Sequence, residues 1–207
     1  STVFDPAWLE SYDFGPQHPI APVRVELTVR LAEELGIFSH RRLQMTPAAP
    51  ATDAQIRSVH HESLLEAVKA AGEVAAGRAP QSGEVWTREA LARFGLGSED
   101  NPIFERMHEA AAQIAGATLE ACRQVWHGEV QHSSNITGGL HHAMPQRCAG
   151  FCIYNDLAIA INWLLDAGAE RVAYLDLDAH HGDGVQRAFY DDPRVLTVSL
   201  HETGHVL

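Results

Sequence analysis

The sequence has no apolar run near the ~18–20 residues an α-helix needs to cross a bilayer, and its start, Ser1-Thr2-Val3-Phe4-Asp5, lacks the basic and apolar stretches of an export signal. These absences predict a soluble, cytoplasmic protein without a membrane partner. Positive charge is also scarce. With 15 Lys plus Arg against 27 Asp plus Glu the net charge is −12, so the surface repels phosphate backbones and nucleic acid is disfavoured as a partner. The three cysteines, Cys122, Cys148 and Cys152, are odd in number and lack the spacing of a disulfide framework. They suit a reducing compartment, each as a small buried apolar residue. Cys148 and Cys152 have no second pair to complete a structural zinc site. Aromatic residues are only 7% of the 207, yet 45% of the chain is apolar. That fraction is too high for a disordered chain and sufficient for one domain, residues 1–207, with a sizeable core. No low-complexity tract or solenoid-period repeat is present.

Histidine is the residue in excess, with 13 copies that include the adjacent pairs His60-His61, His141-His142 and His180-His181. Imidazole titrates near neutral pH and is the commonest metal ligand, so the clustering points to chemistry. His60-His61, at a helix start beside Glu62, reads as a surface or capping pair.

The spacing predicts a helix from Val23 to Leu35, with Val23, Leu27, Leu31 and Leu35 forming a core stripe and Gly36 capping its end. A second helical region begins at the capping box of Thr52-Asp53-Ala54-Gln55 and continues through the Ala-rich stretch from Glu62 to Ala76. A third opens at Asn101-Pro102 and reaches Trp126. Between them, Pro80 to Asp100 reads as a surface loop near a site. In the second half a helix from Asn155 to Ala167 is followed by an apolar run from Arg171 to Leu177. A short helix from Gly184 to Tyr190 and a second run from Val195 to Leu200 come next. Strand, helix and strand in that order imply a right-handed crossover and a parallel sheet with helices on its faces: a single α/β domain.

Ligand sites in such sheets lie beyond the carboxyl ends of the strands. There the sequence places Asp176-Leu177-Asp178-Ala179-His180-His181-Gly182-Asp183-Gly184. Extended backbone would send Asp176, Asp178 and His180 to one side. Two carboxylates and an imidazole sharing a small space call for a divalent metal. A solvated acidic turn is the plainer alternative, but such turns rarely interleave apolar residues and paired histidines. A second element, Thr137-Gly138-Gly139-Leu140-His141-His142-Ala143, offers two adjacent imidazoles. They can serve as a general base and an electrostatic partner if carboxylates, Asp176 and Asp183 being available, hold their far nitrogens. The triplet Asn135-Ile136-Thr137 matches a glycosylation sequon, which an intracellular location renders moot.

The chain resembles the histone-deacetylase superfamily, in particular the bacterial acetoin-utilization type of lysine deacetylase. The stretches that carry the resemblance include Tyr12-Asp13-Phe14-Gly15-Pro16-Gln17-His18-Pro19 with Arg24, Asp100-Asn101-Pro102-Ile103-Phe104 and Gly139-Leu140-His141-His142-Ala143. Gly150-Phe151-Cys152-Ile153-Tyr154-Asn155-Asp156, the Asp176 to Gly184 segment and Val198-Ser199-Leu200-His201 complete them in the family's order. The resemblance implies the arginase/deacetylase α/β fold, a parallel sheet with helices on both faces, truncated at its C-terminal side. It also implies hydrolysis of N-acetyl-lysine amides to lysine and acetate.

The same resemblance implies that Asp178 and His180 bind a catalytic metal, Zn2+ or Fe2+, with His141 and His142 as the catalytic pair and Asp176 and Asp183 as their partners. Phe151, with Gly150 and Cys152, corresponds to the wall of an acyl-lysine tunnel, Asp100 to its rim and Arg24 to an internal acetate-exit cavity. Asp176, Asp178, His180, Ser199 and Leu200 resemble a structural K+ site. Family members carry a third metal ligand, an aspartate, and an oxyanion tyrosine well downstream of the stretch that ends at Leu207. The four tyrosines, Tyr12, Tyr154, Tyr174 and Tyr190, stand in other contexts. The expectation is therefore that these residues are the N-terminal portion of a longer enzyme and nearly inactive alone. The implied substrate is an acetylated protein, by analogy an acyl-CoA synthetase. The alternatives are an acetylpolyamine amidohydrolase, an inactive acetyl-lysine or partner-binding module and, more remotely, a ureohydrolase, whose D-x-H-x-D run is broken by Gly182.

Overall fold

The computed structural model describes residues 1–3, 11–80, 85–204. Phe4 and Asp5 of the amino-terminal reading, and Gly83 of the predicted loop, lie outside the described residues. The elements are β1 (Thr2–Val3), α1 (Val23–Glu34), β2 (Met45–Thr46), α2 (Asp53–Arg57), α3 (Glu62–Ala75) and α4 (Arg88–Ala92). They continue with α5 (Met107–Trp126), β3 (Ser134–Asn135), α6 (Asp156–Asp166), β4 (Val172–Asp176), α7 (Asp183–Ala188) and β5 (Val195–Ser199). Among the described residues the pairings between these strands are parallel: β1 lies between β2 and β3, and β4 pairs with β5 from Val172↔Val195 to Asp176↔Ser199. The parallel sheets with their helices agree with the α/β class expected.

The long helix α5 organises the core. Its alanines Ala110, Ala111, Ala112 and Ala115 are buried, and their small side chains favour helix while letting α3 and α6 approach. α6 joins two apolar clusters: Ile159 and Ala160 pack with residues of α3 and α5, whereas Ala158, Ile161 and Leu165 pack with Val185, Phe189 and Val195. α6 thus ties the two buried clusters together directly behind the loop it follows.

Among the predicted helices and loops, sequence pattern and structure part company at four places. The α1 stripe is not core: α1 has no buried residue, and Val23 and Leu35 are 50% and 67% exposed. Periodicity identified the apolar face of this helix but could not say what covers it. The Thr52 capping box forms, with Gln55 N–H donating to Thr52 Oγ1 at 3.3 Å and Thr52 N–H to Gln55 Oε1 at 2.8 Å, but its helix ends at Arg57 and α3 starts anew at Glu62. The third long helix begins at Met107 rather than Asn101-Pro102, behind Arg106 in the left-handed region at φ 61°. Asn101 is buried and its amide donates to Cys152 O instead of capping a helix. The stretch from Pro80 to Asp100 contains α4, capped by Thr87 Oγ1, and Phe94 O accepts from Cys148 N–H at 2.8 Å.

On β4 and β5, Val172, Tyr174 and Val195 pack against the second cluster. The alternate residues Leu175, Leu196 and Val198, flanked by Leu177 and Leu200, are exposed. None of the described helices is long and apolar enough to cross a membrane.

Candidate active site

The site assembles where the loop from Gly138 to Ala143 meets the end of β4. β4 stops at Asp176, so the extended alternation predicted to align Asp176, Asp178 and His180 does not continue through them. Successive side chain to backbone turns converge them instead. Asp178 N–H donates to Asp176 Oδ1 at 3.0 Å, and His180 N–H donates to Asp178 Oδ1 at 2.7 Å. These Asx turns are local bonds that Asp forms readily.

His141 Nδ1 lies 2.7 Å from Asp176 Oδ2, and His142 Nδ1 lies 2.7 Å from Asp183 Oδ1. An ionised carboxylate only accepts, so each Nδ1 carries the proton and each Nε2 is left to take one. Burial alone would raise the Asp176 carboxyl, but bonds from His141, Tyr174 and the Asp178 amide outweigh it and hold the group below the ordinary carboxylate range. Asp178 is lowered the same way, burial being outweighed by the His180 amide and ring. His141 Nε2 is 4.0 Å from Asp178 Oδ1, and the His142 and His180 rings are 5.8 Å apart. The structure therefore brings His141, His142, Asp176, Asp178, His180 and Asp183 into one constellation.

An open cleft of roughly 940 Å³ runs past this constellation, lined also by Arg24, Asp100, Gly150, Phe151 and Cys152. Phe151 is in the left-handed region at φ 68°, a conformation that disfavours any side chain. Tyr12 braces it, its hydroxyl donating to Phe151 O at 2.7 Å while accepting from Ile153 N–H at 3.2 Å. The His18 ring stands edge-on to Phe151 at 4.6 Å and bonds Asp100 O through Nε2 at 3.1 Å, which ties Asp100 to Phe151 across the cleft lining. Gly150 is required by close approach, since a Cβ there would lie 2.4 Å from His142 Cδ2. Burial pushes the Cys152 thiol up to about 12, so it stays protonated near neutral pH. Gln113 also lines the cleft, and its buried Oε1 has no hydrogen-bond partner among the described residues.

The residues grouped as a K+ site share one edge. Asp176 and Ser199 are register partners, Leu200 N–H donates to Asp176 O at 3.0 Å, and Ser199 Oγ accepts from Gly182 N–H at 3.4 Å. For a divalent cation, Asp178 and His180 supply the right donor atoms, carboxylate oxygen and imidazole nitrogen. They are two, and among the described residues no group of three or more His, Cys, Asp or Glu is arranged to hold a metal ion.

Other residues emerge only in three dimensions. Tyr174 donates its hydroxyl to Asp176 Oδ2, and its place two residues earlier on the same strand was the available signal. His60 is not a surface or capping residue. It is 2% exposed, with Nδ1 bonded to Met144 O at 3.0 Å and Nε2 accepting from Asn155 N–H at 2.9 Å. Only its neighbour His61 is exposed, at the start of α3. Asn135, in the sequon, spends its amide on Ile114 O and Thr118 Oγ1.

Residues 18–207 match the model of the histone deacetylase domain. The chain is 42% identical over 206 residues to the acetoin utilization protein AcuC of Bacillus subtilis, covering 99% of this chain and 50% of that protein. To AcuC of Staphylococcus aureus it is 37% identical over 199 residues, covering 96% and 48%. Among solved structures, an HDAC homolog from Aquifex aeolicus aligns with a TM-score of 0.80 at 28% identity, covering 98% of this chain and 50% of that one. The HDA15 HD domain aligns with a TM-score of 0.80 at 25% identity, covering 97% and 53%. The chain spans about half the length of the curated relatives it matches.

Proposed function

Because this chain belongs to the histone deacetylase family, we propose that it forms part of a cytoplasmic, metal-dependent hydrolase that cleaves acetyl-lysine amides of proteins to lysine and acetate. The observation that carries this reading is the pair of adjacent imidazoles, each with Nδ1 held 2.7 Å from its own carboxylate, beside Asp178 and His180 in an open cleft. Asp178 and His180 would hold the metal, Zn2+ or Fe2+, together with a donor from the half of the relatives' length that this chain does not span. Such a cation supplies Lewis-acid polarisation of the carbonyl and acidification of water.

The chain's own residues divide the remaining work. Both rings line the cleft, but the His142 side chain is 19% exposed against 8% for His141, which makes His142 the more open of the two to water. His142 Nε2 takes the proton of the attacking water and returns it to the lysine nitrogen as the C–N bond breaks, while Asp183 fixes its tautomer. His141, backed by Asp176, stabilises the developing negative charge. Phe151, with Gly150 and Cys152, forms the wall along the acyl-lysine stem, and Asp100 orients substrate backbone at the rim. Arg24 lines the route by which acetate leaves. A structural K+ at Asp176, Asp178, His180, Ser199 and Leu200 would brace the strand ends.

The test is acetate release from acetyl-lysine peptides, N-acetylpolyamines and an acetylated acyl-CoA synthetase, using a form of the protein with its relatives' full length and added Zn2+ or Fe2+. The reading predicts turnover of peptide and protein substrates. Preference for acetylpolyamines would reassign the substrate, and binding of acetyl-lysine without acetate release would mark a recognition module.

A further inference from the structure

Asn155 and Asp156, consecutive at the start of α6, hold the histidine loop from both sides, and we infer that this pair is the positioning element that aims His141 and His142. Both residues are 0% exposed, and neither lines the cleft. The Asp156 carboxylate accepts from Leu140 N–H at 2.7 Å, from Gly139 N–H at 3.1 Å and from Thr118 Oγ1 at 2.5 Å. The Asn155 amide donates from Nδ2 to His141 O at 3.2 Å and to Ala143 O at 3.1 Å.

The chemistry of each side chain matches the backbone it meets. Ahead of the histidines the loop offers two N–H groups, and the acceptor-only carboxylate answers them. Around the histidines it offers two carbonyls, and a primary amide supplies two donors. Asn155 Oδ1 meanwhile accepts from Ala158 N–H at 2.9 Å and caps α6. Capping requires only that last bond, so it does not account for the other four contacts made by the two residues to the loop.

Two neighbours extend the grip. His60 accepts from Asn155 N–H and bonds Met144 O, fixing the loop's far end. A Cβ on Gly184 would lie 2.4 Å from His141 O and 2.9 Å from Asn155 Nδ2, so α7, which begins at Asp183, docks on the same carbonyls. Asn155 therefore sets the spacing between His142 and Asp183 as well as the ring of His141. Groups one bond removed from a reacting centre typically control ~10–100-fold of activity by orienting it.

The catalytic side of this inference rests on the hydrolase reading, but the geometry can be read separately. Asn155→Asp is near isosteric and keeps the α6 cap, but sets a carboxylate against two carbonyl oxygens. In the labelled full chain, NMR of the Asn155→Asp variant should show displaced His141 and His142 ring resonances at a fixed neutral pH, with the far-UV circular dichroism unchanged. In a form that hydrolyses acetyl-lysine peptide, kcat should fall ~10–100-fold with KM little changed. A folded variant whose ring resonances coincide with wild type would overturn the inference. If Asn155→Asp does not fold, Asn155→Ser, which keeps a capping oxygen without the two donors, decides by the same shifts. If wild type hydrolyses nothing, the functional reading fails while the ring resonances still judge the positioning role.

Discussion

His141 and His142 stand with ring centroids 4.1 Å apart, yet their Nδ1 atoms are committed to different carboxylates, Asp176 and Asp183. Neighbours in sequence are thereby given separate orientations and separate work. Replacing either carboxylate by its amide removes an acceptor-only partner and lets the imidazole tautomer reverse. In a form with the relatives' full length, the hydrolase reading predicts that Asp183→Asn and Asp176→Asn each lower acetyl-lysine hydrolysis by ~10–100-fold while the far-UV spectrum is unchanged. Steady-state rates on one peptide check this, and full activity in either variant would remove that carboxylate from the mechanism.

Burial holds the His60 imidazole at about 4, only partly countered by its bond to Met144 O. The unfolded ring titrates near 6.5, so between about 4 and 6.5 the unfolded state binds more protons and stability falls as pH drops. The full effect is roughly 3 kcal/mol. Urea midpoints of wild type and His60→Gln across that window should converge as pH falls, because the substituted chain lacks this term. Parallel curves would mean that His60 is not buried neutral.

Gly150 sits at φ +50° against the His142 ring. Gly150→Ala combines left-handed strain with a Cβ that must displace His142, and is expected to destabilise by about 1–3 kcal/mol. Urea unfolding measures the stability, and the His142 ring resonances should shift in the folded variant.

The exposed face of α1 gives the opposite expectation. Leu31 is 61% exposed, so Leu31→Ser should change the stability of this chain by no more than ~0.5 kcal/mol, as is usual at surface positions. A loss of several kcal/mol would show that the stripe is covered in solution.

The helices α3 and α6, the strands β4 and β5 and the Thr52 capping box were legible in the sequence because caps and apolar periods are local. The convergence of His141 and His142 with the Asp176 to Asp183 run was inferable from chemistry, since unshielded carboxylates and imidazoles seldom share a turn without purpose. The sequence does not disclose the burial of His60, because its partners, Met144 and Asn155, are remote along the chain. Asn101 and Pro102 have the form of a helix start, yet the Asn101 amide is claimed by Cys152 O. The α1 stripe failed for a related reason: an apolar spacing specifies a face and not its cover.

The role of His142 as the proton carrier is the claim on which the proposed chemistry depends most. Acetate release from an acetyl-lysine peptide should be compared for wild type and His142→Ala, both at the relatives' full length and with equal bound metal. The expected result is a loss of ~10²–10⁴-fold in kcat. A His142→Ala protein that releases acetate at the wild-type rate would contradict that role and the hydrolase reading built on it.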